Sequence, residues 1–338
     1  MVSEEKNLRD RIRSRGETVL GVGSALTDIL VRASDAFLFS ISDIKGGMTL
    51  VDRPFLEKAL SMVPPDIDIV PGGATCNAIQ GIGRLGGKAA FIGKLGKGNT
   101  GKAFEESLKR SGVTPFLARS ETRSGQVLAI ITPDTQRSMF TFLGASSELK
   151  PDDLPDEAFE KAAIVLVEGY LFFNPDLAKS VLQKAHAAGA VIAMDLSSFT
   201  VVESTGELLH EEVRNYVDIL IGNEDESIAY TGASNVREAL RMMSLEASLA
   251  AVKCGAEGSF LRDTEKEWHI GAHPGDAVID TTGAGDLWAS GFLYGLTQGW
   301  SMDRCGALAS ACGYEVCGVI GAQIPEAGWA RIRSNFLP

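Results

Sequence analysis

The chain has 338 residues, a formal net charge of −12 and 45% hydrophobic residues. That is enough for one large α/β domain, or two smaller ones, with a well-developed core. The acidic balance argues against a general nucleic-acid binder, which carries a basic footprint, and no apolar run reaches the length of a membrane span. The start, Met1 to Lys6, is charged and leads into no apolar core, so no secretory signal is expected and the expected compartment is the cytoplasm. Cys76, Cys254, Cys305, Cys312 and Cys317 are odd in number, lack CxxC spacing and sit in apolar surroundings, which reads as reduced core thiols. His186, His210, His269 and His273 form no metal-ligand pattern and read as surface or loop residues.

Thr18 to Gly23 reads as the first buried strand. Gly21 and Gly23 begin a dinucleotide-type fingerprint, but Leu26 stands at the third glycine position, which weakens a nicotinamide-dependent oxidoreductase reading. Asp28 follows this strand, at the edge where open parallel sheets bind ligands. A carboxylate there can accept from two sugar hydroxyls at once; the alternative is a solvated loop residue.

Lys45 to Asp52 mixes glycine with alternating apolar residues, as in a turn and short strand, and 53–65 reads as a short helix ending at Pro64-Pro65. Gly72-Gly73 marks a tight backbone against which a ligand can lie. A helix from Ala74 to Leu85 begins there, with Asn77 about one turn in, and a strand follows at Ala89 to Gly93. Gly96 to Ala103 nearly fits the phosphate-binding G-x-x-x-x-G-K-[ST] pattern, but Ala103 supplies no hydroxyl for Mg²⁺, so it reads as a turn into a helix over 100–111. Val127 to Thr132 and Arg137 to Leu143 form a β-hairpin across Pro133-Asp134-Thr135-Gln136. Arg137 reads equally as a cation facing the cleft or as an exposed hairpin residue.

From residue 151 strands and helices alternate. Strands are expected at 163–167, 190–194 and 218–222, and helices at 175–188 and 208–216. This implies a mostly parallel sheet with helices on both faces. The strand ends bring Glu168, Asp195 and Asn223 to one edge. Asn223-Glu224-Asp225-Glu226 reads either as a ligand-facing group or as an acidic cap, the cap being the better reading for Glu224 and Asp225 and the worse one for Glu226. Leu249 to Lys253, a glycine turn and Ser259 to Leu261 read as strand, turn and strand.

Asp276 to Asp280 reads as a short extended segment. Thr281-Thr282-Gly283-Ala284-Gly285-Asp286 then opens into a buried helix from Leu287 to Leu296. The free N–H groups of a helix start, with the positive end of its dipole, form an anion site. A carboxylate at that point suits a transient anion. Asp286 can take a proton from an attacking hydroxyl while the N–H groups of Gly283, Ala284 and Gly285 hold charge on a moving phosphoryl group. The bland alternative is an Asp capping its own helix. Met302 to Val316 reads as a helix and Cys317 to Gln323 as a loop.

Asp280 to Asp286 and Gly72-Gly73-x-x-x-Asn77, about 200 residues apart, resemble the two signatures of the ribokinase-like (PfkB) carbohydrate and nucleoside kinases. The likeness runs from Gly23 to about Gln323. It implies a three-layer ribokinase-like α/β fold with a mostly parallel central sheet, as a single domain over 1–338. A small β lid would form from about 26–52 and 115–143. It also implies transfer of phosphate from MgATP to a primary hydroxyl, with Asp286 as base. Asp28, Gly72, Gly73, Asn77, Glu168 and Arg137 would hold the acceptor. Asn223, Lys253, Gly255, Gly258 and Thr282 would hold ATP, although many family members carry Thr or Ser where Lys253 stands. Glu226 would act on Mg²⁺ through water, and Asp280 with Gly321 on a monovalent cation such as K⁺. Lys45–Asp52 and Arg137–Gly144 resemble bacterial adenosine-kinase-like members, which favours adenosine; ribose, fructose or a related sugar is the alternative. A non-catalytic sugar-binding protein on the same fold is the more distant rival. The expected partners are small molecules alone, and a monomer and a homodimer are both open.

Overall fold

The computed structural model describes residues 8–64, 67–134, 136–275 and 278–337. The charged start, Thr135 of the hairpin turn, Pro65, and Asp276 and Ala277 of the expected extended segment lie outside the described residues. The strands are β1 (Val19–Val22), β2 (Leu26–Arg32), β3 (Gly47–Leu50), β4 (Asp68–Gly72), β5 (Ala89–Gly96), β6 (Val113–Ser120) and β7 (Ser124–Ile131). They continue with β8 (Arg137–Gly144), β9 (Ile164–Glu168), β10 (Val191–Asp195), β11 (Ile219–Asn223), β12 (Leu249–Lys253), β13 (Ser259–Asp263) and β14 (Glu267–Ile270).

Nine strands form one sheet in the order β14-β13-β12-β11-β10-β9-β1-β5-β6. From β12 to β6 neighbouring strands run parallel, and β13 and β14 add an antiparallel hairpin at one edge. Successive side chains of a strand point to opposite faces, and the two cores follow that alternation. Val19, Phe91, Ile164, Leu166, Val191, Ala193, Ile219 and Ile221 join one core, with the helices Ala74–Arg84, Ala284–Thr297 and Met302–Cys317. Leu20, Val22, Ile92, Val165, Val167, Ile192, Met194 and Leu220 join the other, with Pro175–Ala187 and Phe199–Tyr216. Burial on both faces explains why these strands read as continuous apolar runs.

A second sheet has the order β3-β8-β7-β2-β4. Its outer face, with Ile29, Val31, Leu128, Ile130 and Phe140, packs on the short helices Asp35–Ile41 and Arg53–Met62. Its alternate residues, among them Asp28, Met48, Leu50, Val127, Met139 and Thr141, face the larger sheet across a cavity.

Several expected boundaries shift. Residues 115–120 lie in β6, the edge strand of the larger sheet, and not in the small sheet. Residues 68–72 join the small sheet instead, paired antiparallel with β2. The helix expected over 208–216 starts at Phe199, because the Ser198 side chain accepts the N–H of Thr200 at its N-terminus. Val278 to Asp280 is not a strand, although the Ile279 N–H donates to the Cys317 carbonyl at 2.7 Å. His186 and His210 are helix residues, and His210 is half-buried with Nδ1 at 3.0 Å from Glu246 Oε2. Cys76, Cys254, Cys305 and Cys312 are buried and free.

Candidate active site

The two sheets enclose a cavity of about 1240 Å³. The C-terminal ends of β9 to β12 form its floor, the place where open parallel sheets bind ligands. The inner face of the small sheet forms its roof. The helix starts at Ala74 and Ala284 meet between them. Every residue that the sequence singled out, apart from Gly72, Asp280 and Gly321, lines this cavity.

The centre is Asp286, third residue of the Ala284–Thr297 helix. It does not cap its own helix: that N-terminus has no side-chain cap, and Asp286 Oδ2 accepts from Asn77 Nδ2 at 2.9 Å. Asp286 faces the cavity and is enclosed by protein elsewhere. Burial pushes its carboxyl up from 3.8 to about 6, against the Asn77 hydrogen bond and the charges of Lys253 and Arg137. The Ala284 N–H, expected to face a ligand, donates to the Thr281 carbonyl at 3.2 Å. The open amides of this turn are therefore those of Gly283 and Gly285 alone among the three. Gly283 sits at φ 74°, a conformation that residues with a side chain rarely take.

Asp28 enters from β2. Burial raises its carboxyl to about 7, opposed by Arg137 and reinforced by Asp286. Gly72, on the neighbouring β4, leaves room for it: a Cβ there would lie 2.3 Å from the Asp28 carboxyl carbon. Arg137, the first residue of β8, also lines the cavity and forms no salt bridge among the described residues. It is therefore the cleft-facing cation rather than an exposed hairpin residue.

Glu168 was expected to bind substrate, but its oxygens are engaged by the backbone. The N–H of Ser24 donates to Oε1 at 2.9 Å and that of Thr75 to Oε2 at 3.1 Å. Glu168 is 1% exposed, and through these bonds it ties the loop after β1 to the start of the Asn77 helix while each oxygen keeps a lone pair. Asn223 and Glu226 form a reciprocal capping box. Asn223 Oδ1 accepts the Glu226 N–H at 2.8 Å, and Glu226 Oε2 accepts the Asn223 N–H at 2.8 Å. Asn223 Nδ2 also donates to Glu226 Oε1 at 2.8 Å. The expectation that Glu226 is not a cap thus fails, since it is the residue that closes the box. Burial, with Asp195 nearby, keeps its carboxyl raised against the pull of Lys253.

Lys253 ends β12 and pairs with Asp195 at 2.7 Å. Gly255, Gly258, Ala272, His273 and Tyr314 continue the wall beyond it. Sequence reasoning placed Asp195 at the sheet edge but gave it no role; its signal was the Lys253 charge two strands away. Asp280 is 1% exposed. Its Oδ1 accepts from the Thr282 N–H and Oγ, at 2.9 and 2.6 Å, and its Oδ2 from the Gly321 N–H at 2.8 Å. Asp280, Thr282 and Gly321 are thus joined to one another, so that Asp280 staples two loops.

Two buried polar atoms on the cavity wall have no partner among the described residues, Asn77 Oδ1 and Trp288 Nε1. Buried polar groups are almost always paired, and these two are exceptions. No group of three or more His, Cys, Asp or Glu residues able to hold a metal occurs among the described residues. No described helix is long and apolar enough to cross a membrane.

A sequence model described as "pfkB family carbohydrate kinase" matches residues 47–327. The crystal structure of adenosine kinase from Sinorhizobium meliloti is 32% identical, with a TM-score of 0.88 over 94% of this chain and 99% of that one. A probable sugar kinase protein from Rhizobium etli CFN 42 is 31% identical, with a TM-score of 0.89 over 94% and 98% of the two chains. The 5-dehydro-2-deoxygluconokinase of Bacillus subtilis (strain 168) is 27% identical over 254 residues, 71% of this chain and 78% of that one.

Proposed function

The chain belongs to the pfkB family of carbohydrate kinases, with the ribokinase-like fold, and on that premise we propose that it phosphorylates the primary hydroxyl of a ribonucleoside, best adenosine. The observation that carries the choice of a nucleoside is the roof of the cavity. Leu26, Met48, Leu50, Val127, Met139 and Leu143 give an apolar surface, and Phe173 and Tyr170 stand on the opposite wall. A bare sugar presents hydroxyls on every side and would leave them facing those side chains unpaired. A heterocyclic base covers the same surface with an apolar face. The similarity to an adenosine kinase supports the choice; the similarity to two sugar kinases keeps ribose or fructose as the second reading.

In this mechanism Asp28 accepts from the ribose hydroxyls, and Asn77 orients Asp286. Asp286 removes the proton of the attacking hydroxyl, and the open amides of Gly283 and Gly285 receive charge on the phosphoryl group. Arg137 offsets phosphate charge from the roof. The small sheet acts as a lid that keeps water from the donor. ATP is the donor that the family implies, lying along Asn223, Gly255, Gly258 and Thr282. Mg²⁺ would neutralise the phosphates when bound. Each Glu226 oxygen accepts one hydrogen bond and keeps a lone pair, which fits a carboxylate that holds a metal-bound water and not the metal itself.

The test is ADP release from MgATP with adenosine, other nucleosides, ribose, fructose and 2-keto-3-deoxygluconate. Turnover with adenosine at the highest kcat/KM is expected. A free sugar that outperforms every nucleoside would overturn the nucleoside assignment.

A further inference from the structure

Lys253 closes β12 at the C-terminal edge of the sheet, in register with Asn223 of β11. Its side chain is 14% exposed, and that of its partner Asp195 is 16% exposed. Asp195 is itself aimed from behind. The Ser197 N–H donates to Asp195 Oδ1 at 2.9 Å, which leaves Oδ2 for Lys253. Ser197 has φ 67°, the one positive φ outside glycine among the described residues. Such a backbone costs free energy and persists only where its surroundings hold it. Here Ser197 Oγ donates to the Asp195 carbonyl and accepts the Gly169 N–H, each at 3.0 Å.

On its other side Lys253 presses into the first turn of the Ala284–Thr297 helix. A Cβ on Gly285 would lie 2.9 Å from Lys253 Nζ. Gly285 has no positive φ, so a side chain there would be opposed not by its backbone but by the ammonium, which would have to shift. Burial pulls the Lys253 ammonium down, but Asp195, Glu226 and Asp286 outweigh it and hold the group above its usual value. The ammonium thus stays charged, uses one of its donors on Asp195, and lies where a side chain of Gly285 would begin.

We propose that Lys253 is a catalytic residue whose ammonium contacts the phosphoryl group in flight, and that Asp195 is the positioning residue that holds it there. This rests on the reading of Asp286 as base. In the step, the acceptor hydroxyl gives its proton to Asp286 and its oxygen forms a bond to the γ-phosphorus. The bond from that phosphorus to the bridging oxygen of the nucleoside triphosphate breaks, and the diphosphate leaves. Lys253 keeps its proton throughout, and its charge falls on the equatorial oxygens together with the open amides.

The experiment compares the parent chain with Lys253→Met, Lys253→Arg, Asp195→Asn, Gly285→Ala and the Lys253→Met/Gly285→Ala pair. Lys253→Met is expected to lower kcat by about 10²–10³-fold, with the acceptor KM changed by less than about threefold. Lys253→Arg restores part of kcat, and Asp195→Asn loses about tenfold or more of it. Gly285→Ala displaces the ammonium while keeping both charges, so it tests the contact even where Lys253→Met folds poorly. Adding it to Lys253→Met costs little more, because both remove one interaction. Binding of ADP with aluminium fluoride, measured against ADP alone, reads the same contact without an acceptor. Lys253→Met is expected to lose about tenfold or more of that preference. A kcat within about threefold of the parent, an unchanged preference, or fully additive costs in the pair overturns the proposal. Failure of the base reading looks different: Asp286→Asn then turns over at the parental rate while Lys253→Met collapses.

Discussion

Asn77 Nδ2 and Asp286 Oδ2 lie 2.9 Å apart, joining the first turns of two helices across 209 residues of sequence. The bond stabilises the ionised carboxylate, since an amide N–H has nothing to gain from the protonated form at that oxygen. Replacing Asn77 by Leu removes the donor, and the Asp286 carboxyl rises further. The acid limb of the pH profile of kcat/KM should then move up by about 0.5–1 pH unit, beyond any uniform loss of activity. A limb that stays in place would show that the bond does not tune Asp286.

Asp286 as base sets the pH dependence of the parent chain. The ionised form is the active one, and it prevails above the raised value of about 6. Activity should therefore climb through that pH and level off beyond it. Asp286→Asn should lower kcat by about 10²–10⁴-fold at pH 8 and abolish the limb.

The same enclosure carries a cost in stability. Asp28 and Asp286 each hold their proton to a higher pH in the folded chain, about 7 and about 6, than the usual 3.8. Between those values the folded state binds more protons than the unfolded one, so stability falls as pH rises through the window. Above about pH 7 the full cost is present. Asp28→Asn should therefore raise the Tm at pH 8 by about 2–4 °C and leave it unchanged at pH 4. Equal shifts at both pH values would sink the argument.

Gly72 lies opposite Leu26 on the paired strand, two residues from Asp28, whose carboxyl fills the space a Gly72 side chain would need. Gly72→Ala places a methyl group 2.3 Å from the Asp28 carboxyl carbon. Asp28 is too short to move aside and keep its aim. The acceptor KM should rise about tenfold or more, while the MgATP KM changes by less than about twofold.

The apolar roof can be probed at Met139, in the middle of β8. Met139→Asp puts a charge where a base would lie. The KM for adenosine should rise by about tenfold or more, with the free-sugar KM little changed. A parallel rise for both acceptors would mean that the roof does not read the base.

Much of this was legible in the chain. The central strands announced themselves as short β-branched runs, because burial on both faces leaves no polar alternation to confuse. The Gly72-Gly73 and Gly283–Asp286 turns were legible because their chemistry is local. Other roles depended on partners far off in sequence. The bonds of Glu168 to the amides of Ser24 and Thr75 join segments that the sequence keeps far apart. Asp280 takes the N–H of Gly321, 41 residues on, a bond that nothing local announces. Ala284 reads as an open amide until Thr281 accepts its proton. The assignment of 68–72 to the small sheet and of 115–120 to the large one was likewise hidden, since strand pairing is decided by neighbours rather than by the strand's own residues.

The chain passes between the two sheets four times, after β1, after β4, after β6 and after β8. The passages after β1 and after β6 are short loops, whereas those after β4 and β8 carry helices, and these two turn at Gly73 with φ 102° and Gly144 with φ 50°. The second passage carries Asp28's neighbour Gly72 at one end and the Asn77 helix at the other. Roof and base thus share one stretch of chain: β4 lies in the small sheet, and the helix that follows it carries the Asn77 amide that holds Asp286.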